Sequence, residues 1–176
     1  MRTAIERLIE KVPETATVLD VGYGGLDGEN TTNFLRNRFK DLWGLSKDAV
    51  AINKYKEATK TDDPVILGLY PNTVMQKVFD LLVLDTNIDG NLDFWSDEGL
   101  KQATRFLKSE GFLLTYVLTT DQYGDEYTQN RIRQHLHSWW EVMPDRAMNL
   151  PFFEFVDAQE EERRPEITWV LLRRRT

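Results

Sequence analysis

Two short segments bring carboxylates together with glycines and amides in a pattern that could do chemistry. The run FDLLVLD, residues 79–85, is continuously apolar until it ends on Asp85 and opens into Thr86-Asn87-Ile88-Asp89-Gly90. A carboxylate at such a strand end could act as a base or orient an acceptor oxygen or nitrogen. Asn87 adds a donor and an acceptor close by, so Asp85 and Asn87 are the catalytic candidates. Asp85, Asn87 and Asp89 could also offer hard oxygens to a divalent cation, but an Asx-rich turn is the plainer reading and no metal is expected. The second segment is TVLDVGYGG, residues 17–25, which sets Asp20 ahead of Gly22, Gly24 and Gly25. Glycines let a chain turn tightly at a strand end and leave room for a ligand. The dinucleotide spacing GxGxxG fails, because position 27 is Asp when counted from Gly22 and Gly24.

Other chemistries have little to work with. The 176 residues contain no cysteine and two histidines, which removes disulfides, thiolate metal sites and a cysteine nucleophile. His135 and His137 lie two apart on an expected helix and so point to different sides. The net charge of −7 disfavours general nucleic-acid binding. Arg163-Arg164 and Arg173-Arg174-Arg175 are the basic runs, and the second reads as a solvated terminal charge cluster. No apolar run approaches the roughly 20 residues of a membrane span. The N-terminal stretch lacks the apolar core of a secretory signal, so a cytoplasmic protein is expected.

Apolar and amphipathic stretches alternate regularly around these segments. Hydrophobic residues make up 41% and charged residues 29% of the chain, an ordinary globular composition. No repeat or linker divides it, so one domain over 1–176 is expected. Ile5, Leu8, Ile9 and Val12 stand at helical spacing before Pro13, which predicts an N-terminal helix within 1–13, packed on the core. Short apolar runs at 17–21, 42–45, 64–69, 79–85 and 112–118 read as buried strands. Helices are predicted over about 30–39, from a cap at Ser46 or Asp48 with Ala51, Tyr55 and Ala58 on one face, and from Ser96 through Leu107 to near Gly111. Ile132, Leu136, Trp139 and Trp140 mark one more. Two β-rich runs, 152–156 and 167–172, close the chain, and the charged stretch between them reads as a hairpin tip or exposed loop. Such alternation predicts an α/β fold with right-handed crossovers and a parallel, doubly wound sheet. The terminal strand pair would add an antiparallel edge.

The ordered motifs resemble those of class I S-adenosylmethionine (SAM)-dependent methyltransferases across nearly the whole chain. VLDVGYGG corresponds to the first motif, LWGLSKD to the end of strand two, FDLLVLD to strand four, and FLKSEGFLLTYVL to a helix and strand five. The resemblance implies a Rossmann-like three-layer sandwich, with a mostly parallel seven-stranded sheet and an antiparallel last strand. It implies SAM as cofactor, bound by Asp20, Gly22, Tyr23, Gly24, Gly25, Ser46, Lys47, Leu69, Tyr70 and Asp85. Three departures stand out. Leu26 occupies the third glycine position. Ser46 stands where an acid usually holds the ribose. Gly68-Leu69-Tyr70-Pro71 replaces the segment that often carries an acid near the adenine.

The function implied is methyl transfer to a small molecule or a protein, with selectivity drawn from the loops 86–97, 119–125 and 143–151. The missing acids motivate an alternative, a methyltransferase-like domain that binds a ligand or partner without catalysis. A weaker third reading is another nucleotide-dependent Rossmann enzyme. The last strand, or the helix bearing Trp139 and Trp140, could pair two copies into a homodimer.

Overall fold

The computed structural model describes residues 3–24, 31–85, 94–118, 150–162 and 164–176. The chain runs α1 (Ala4–Ile9), β1 (Thr17–Val21), α2 (Thr31–Arg38), β2 (Asp41–Ser46), α3 (Ala49–Thr59), β3 (Val65–Leu67) and β4 (Phe79–Leu84). It continues through α4 (Asp97–Thr104), β5 (Leu107–Leu118), β6 (Phe153–Glu161) and β7 (Arg164–Arg174). Helix starts follow local chemistry. Thr3 and Glu6 close a capping box on α1, Asp48 caps α3 through the Ala51 amide, and Ser96 caps α4 through the Gly99 amide.

All seven strands join one sheet in the order β3-β2-β1-β4-β5-β7-β6. Strands β1 to β5 pair in parallel, and β7 pairs antiparallel with both β5 and β6. The expected fold class is therefore the one observed. Successive strand residues face opposite sides, and the core divides accordingly. Leu19, Val21, Leu45, Leu82, Leu84 and Leu113 join Leu100 and Ala103 of α4 on one face. Val18, Leu42, Leu81, Val83 and Leu114 meet Leu8 of α1, Leu35 of α2 and Ile52 of α3 on the other. The strand order reverses direction between β1 and β4, and open sheets bind ligands outside the carboxyl ends at such a switch point.

Three expectations need correction. Leu107 belongs to β5 rather than to the preceding helix, because it pairs with Phe79. Residues 108–111 then bulge before Phe112 meets Leu81, with Glu110 at φ 63°. The charged stretch after 156 is largely strand, since β6 runs to Glu161 and β7 begins at Arg164. The ladder serves its backbone, and α1 and the turn after it lie against the hairpin through Arg7–Glu162 and Lys11–Asp157 ion pairs. The C-terminal arginines are also tied down. Arg173 Nε donates to Glu154 Oε1 at 2.6 Å, Arg174 to the Thr104 and Leu107 carbonyls, and Arg175 Nε to the Phe153 carbonyl at 3.0 Å. Arg174 thus satisfies the Thr104 carbonyl left over at the end of α4 and the Leu107 carbonyl at the start of β5. The expected helix bearing His135, His137, Trp139 and Trp140 lies outside the described residues.

Candidate functional site

The end of β1 is pinned between its neighbours. The Gly22 amide donates to the Leu45 carbonyl at 2.8 Å, and the Asp85 amide donates to the Val21 carbonyl at 3.3 Å. Gly22 and Gly24 then take φ of 99° and 81°, conformations that favour glycine strongly. The Gly24 amide turns inward to Thr32 Oγ1 at 3.0 Å. A Cβ on Gly24 would also meet Tyr55 Cβ at 3.2 Å and the Ala51 carbonyl at 3.3 Å, so α3 closes in beside the turn.

Tyr23, between the two glycines, points back onto the sheet and is 1% exposed. Its ring lies where a side chain at position 44 of β2 would be: a Cβ on Gly44 would come within 2.5 Å of Tyr23 Cγ. The hydroxyl donates to Asp63 Oδ2 at 2.6 Å, and Arg36 pairs with Asp63 and donates to the same hydroxyl. Tyr55 meets the ring edge-on at 5.2 Å. Tyr23 was expected to touch the cofactor; here its side chain anchors the turn to β2, α2 and the α3–β3 connection.

Two carboxylates flank the switch point. Asp20 is 1% exposed. Its Oδ2 accepts from Thr32 Oγ1 at 2.6 Å, while the buried Oδ1 has no partner among the described residues. Burial pushes its carboxyl up to about 7, Thr32 opposes the rise, neighbouring Asp85 adds to it, and Arg36 opposes it. A buried charge without full hydrogen bonding is costly, and the group takes up a proton instead. Asp85 ends β4. Its Oδ2 accepts from Thr31 Oγ1 at 2.8 Å, and burial raises its carboxyl too, with the Thr31 hydrogen bond opposing. The structure thus brings Asp20, Gly22, Gly24 and Asp85 together around the first turn of α2. Thr31 and Thr32 are the site residues that sequence reasoning missed. Two adjacent hydroxyls at the start of the helix that follows the glycine-rich segment were the available signal.

The β2 and β3 ends differ from expectation in their detail. Ser46 is buried, and its Oγ accepts from the Asp48 amide at 3.1 Å, so it shapes the entry to α3. Lys47 is exposed between them. Leu69 is half-buried, and its carbonyl accepts from the Asn72 amide. Tyr70 was expected to offer its ring to the adenine. It is instead fully buried against Phe106, at 5.0 Å between ring centres, in the core on the α4 side. Burial pushes its hydroxyl up. Gly25 and Asn87 lie outside the described residues. Among the described residues no cluster of His, Cys, Asp or Glu could hold a metal, and no helix is long and apolar enough to cross a membrane.

No family model and no curated protein matches the chain. Its shape is nonetheless shared with many solved structures. The N-methyltransferase NodS from Bradyrhizobium japonicum WM9 superposes with a TM-score of 0.61 at 13% identity, covering 98% of this chain and 93% of that one. The 1,6-didemethyltoxoflavin-N1-methyltransferase of Burkholderia thailandensis, with bound 1,6-didemethyltoxoflavin and S-adenosylhomocysteine, gives 0.61 at 16% identity over 98% and 77%. A TehB-like SAM-dependent methyltransferase from Corynebacterium glutamicum ATCC 13032 Kitasato gives 0.57 at 17% over 98% and 88%. The chain has the Rossmann-like fold of the class I SAM-dependent methyltransferases.

Proposed function

We propose that this protein is a SAM-dependent methyltransferase acting on a small molecule, with its donor site at the carboxyl ends of β1, β2 and β4. The observation that carries the proposal is the arrangement at the switch point. A doubly left-handed glycine turn sits over a buried Asp20 whose second oxygen has no partner, with Asp85 beside it. An orphaned buried carboxylate oxygen fits a cationic ligand, and SAM carries positive charge on its sulfonium and its ammonium. The small-molecule acceptor is suggested by the neighbours, among them a structure holding 1,6-didemethyltoxoflavin.

The residues proposed for the cofactor are Asp20, Gly22, Gly24, Ser46, Lys47, Leu69 and Asp85, with Gly25 from the adjoining segment. Tyr23 and Tyr70 would act from behind, through the turn and the core. When bound, SAM supplies an activated methyl group for in-line displacement, so the protein mainly aligns donor and acceptor. Asp85 would take an acceptor's proton or orient its nitrogen or oxygen, and burial, which raises its carboxyl, favours its holding a proton. Asn87 is proposed as its partner. The chain would act as one domain in the cytoplasm.

A second reading has its own observation. Ser46 stands at the end of β2 where an acid would grip a ribose, and its Oγ accepts from the Asp48 amide. Asp48, the acid that follows, turns one carboxylate oxygen to the Ala51 amide as the cap of α3. A methyltransferase-like domain that binds without catalysis would fit that.

Calorimetric titration with SAM and with S-adenosylhomocysteine tests both. Binding of either with micromolar affinity is expected under the first reading. No heat at high micromolar ligand would overturn it, and binding without turnover across a panel of amine and hydroxyl acceptors would favour the second.

A further inference from the structure

Thr31 and Thr32 are consecutive in the first turn of α2 and both are buried, at 6% and 1% exposure. Threonine is a modest helix former, so propensity does not explain a pair of them there. Geometry does. Neighbouring residues on a helix project about 100° apart, and these two reach different strands. Thr31 Oγ1 donates to Asp85 Oδ2 at the end of β4, and Thr32 Oγ1 donates to Asp20 Oδ2 on β1. Thr32 also accepts from the Gly24 amide at 3.0 Å. A hydroxyl has one proton to give. Each threonine therefore commits that proton to one oxygen of one carboxylate, and Asp20 Oδ1 stays unpaired.

We propose that Thr31 and Thr32 are positioning residues that set Asp20, Asp85 and the glycine turn in register, leaving the free oxygen of Asp20 for a cationic group of the ligand. The inference rests on the reading of the crevice as a SAM site. Valine at either position would keep the shape and lose the proton donor. Serine would keep the donor and lose only a methyl. The charged groups facing Asp20 are Asp85 on β4 and Arg36 on α2, and Tyr23 of the turn is its other titratable neighbour.

The test follows the carboxyl carbons of Asp20 and Asp85 by NMR across pH, in the wild type and in Thr31→Val, Thr31→Ser, Thr32→Val and Thr32→Ser. Loss of a donor to a carboxylate disfavours its charged form. Thr32→Val is expected to raise the Asp20 midpoint by about one unit and to move that of Asp85 less. Thr31→Val is expected to do the reverse, and each serine variant to return toward the wild type. S-adenosylhomocysteine affinity, by calorimetry, is expected to fall about tenfold in Thr32→Val and recover in Thr32→Ser, as loss of one charge-assisted hydrogen bond implies. Unchanged midpoints in folded valine variants would overturn the proposal, and so would serine variants that behave like valine. Where valine prevents folding, Thr31→Ala and Thr32→Ala are read the same way. If the wild type binds neither SAM nor S-adenosylhomocysteine, the methyltransferase reading fails, while the carboxyl titrations still decide whether the threonines orient the acids.

Discussion

Replacing Asp20 with asparagine removes a buried titration while keeping nearly the same shape. Thr32 Oγ1 can still donate, now to the amide oxygen, and the amide nitrogen takes the place of the unpaired Oδ1. The folded-state carboxyl of Asp20 is raised from 3.8 to about 7. Such a group holds its proton more tightly when folded, so its contribution to stability is complete below about 4 and is lost as pH rises through about 7. The full shift corresponds to a ceiling of about 4 kcal/mol, and relaxation of the site would reduce it to about 2 kcal/mol. Asp20→Asn should therefore match the wild type at pH 4 and exceed it at pH 8, by about 5 °C in melting temperature for a chain of this size. Thermal unfolding of both proteins at half-unit pH steps, followed by circular dichroism, measures the difference curve. A flat curve, or an advantage of the variant that shrinks toward pH 8, would refute the account of Asp20 as a buried, under-bonded acid.

Other consequences can be measured separately. A cation placed against Asp20 draws its carboxyl down and releases a proton, so SAM should bind more tightly at pH 8 than at pH 6; calorimetry in buffers of different ionisation heat reads the released proton, and pH-independent affinity would count against the contact. Gly44→Ala should cost about 3 kcal/mol, the upper end for overpacking, because its Cβ meets the Tyr23 ring at 2.5 Å; adding Tyr23→Ala should cancel most of that cost, and strictly additive denaturation energies would contradict it. Arg174→Ala should lose about 1.5–3 kcal/mol by leaving the Thr104 and Leu107 carbonyls without their charged donor, and urea denaturation with an unchanged midpoint would argue that water replaces the guanidinium.

Sequence reasoning reached the sheet because buried parallel strands read as apolar runs, and FDLLVLD and TVLDV are such runs. It singled out Asp85 because it closes one such run, and Asp20 because it precedes the glycines in a motif that resembles the family's first. It passed over Thr31 and Thr32 because nothing along the chain shows which way a hydroxyl at a helix start points, and only the third dimension aims each at another strand. Tyr23 and Tyr70 were assigned to the ligand because the resemblance puts the cofactor at those segments, while the direction of each side chain is set by what packs around it: the space beside Gly44 for one, Phe106 for the other. Leu107 fits a helix face and a strand equally well, and its pairing with Phe79 decides between them. The terminal arginines look like a solvated run because their partners, Glu154, Thr104 and Phe153, are distant in sequence.

The fit of Tyr23 into the space beside Gly44 also bears on how this scaffold could be rebuilt. A turn whose contacts all lay within itself could be exchanged as a cassette. Here the cassette carries a peg, and its socket is cut in another strand and lined by Arg36, Tyr55 and Asp63. A foreign turn with a short residue at position 23 would leave the socket hollow, and this turn moved to a host with a larger residue at position 44 would be pushed off its strand. The smallest transplantable unit is therefore discontinuous, and it spans residues from 20 to 63.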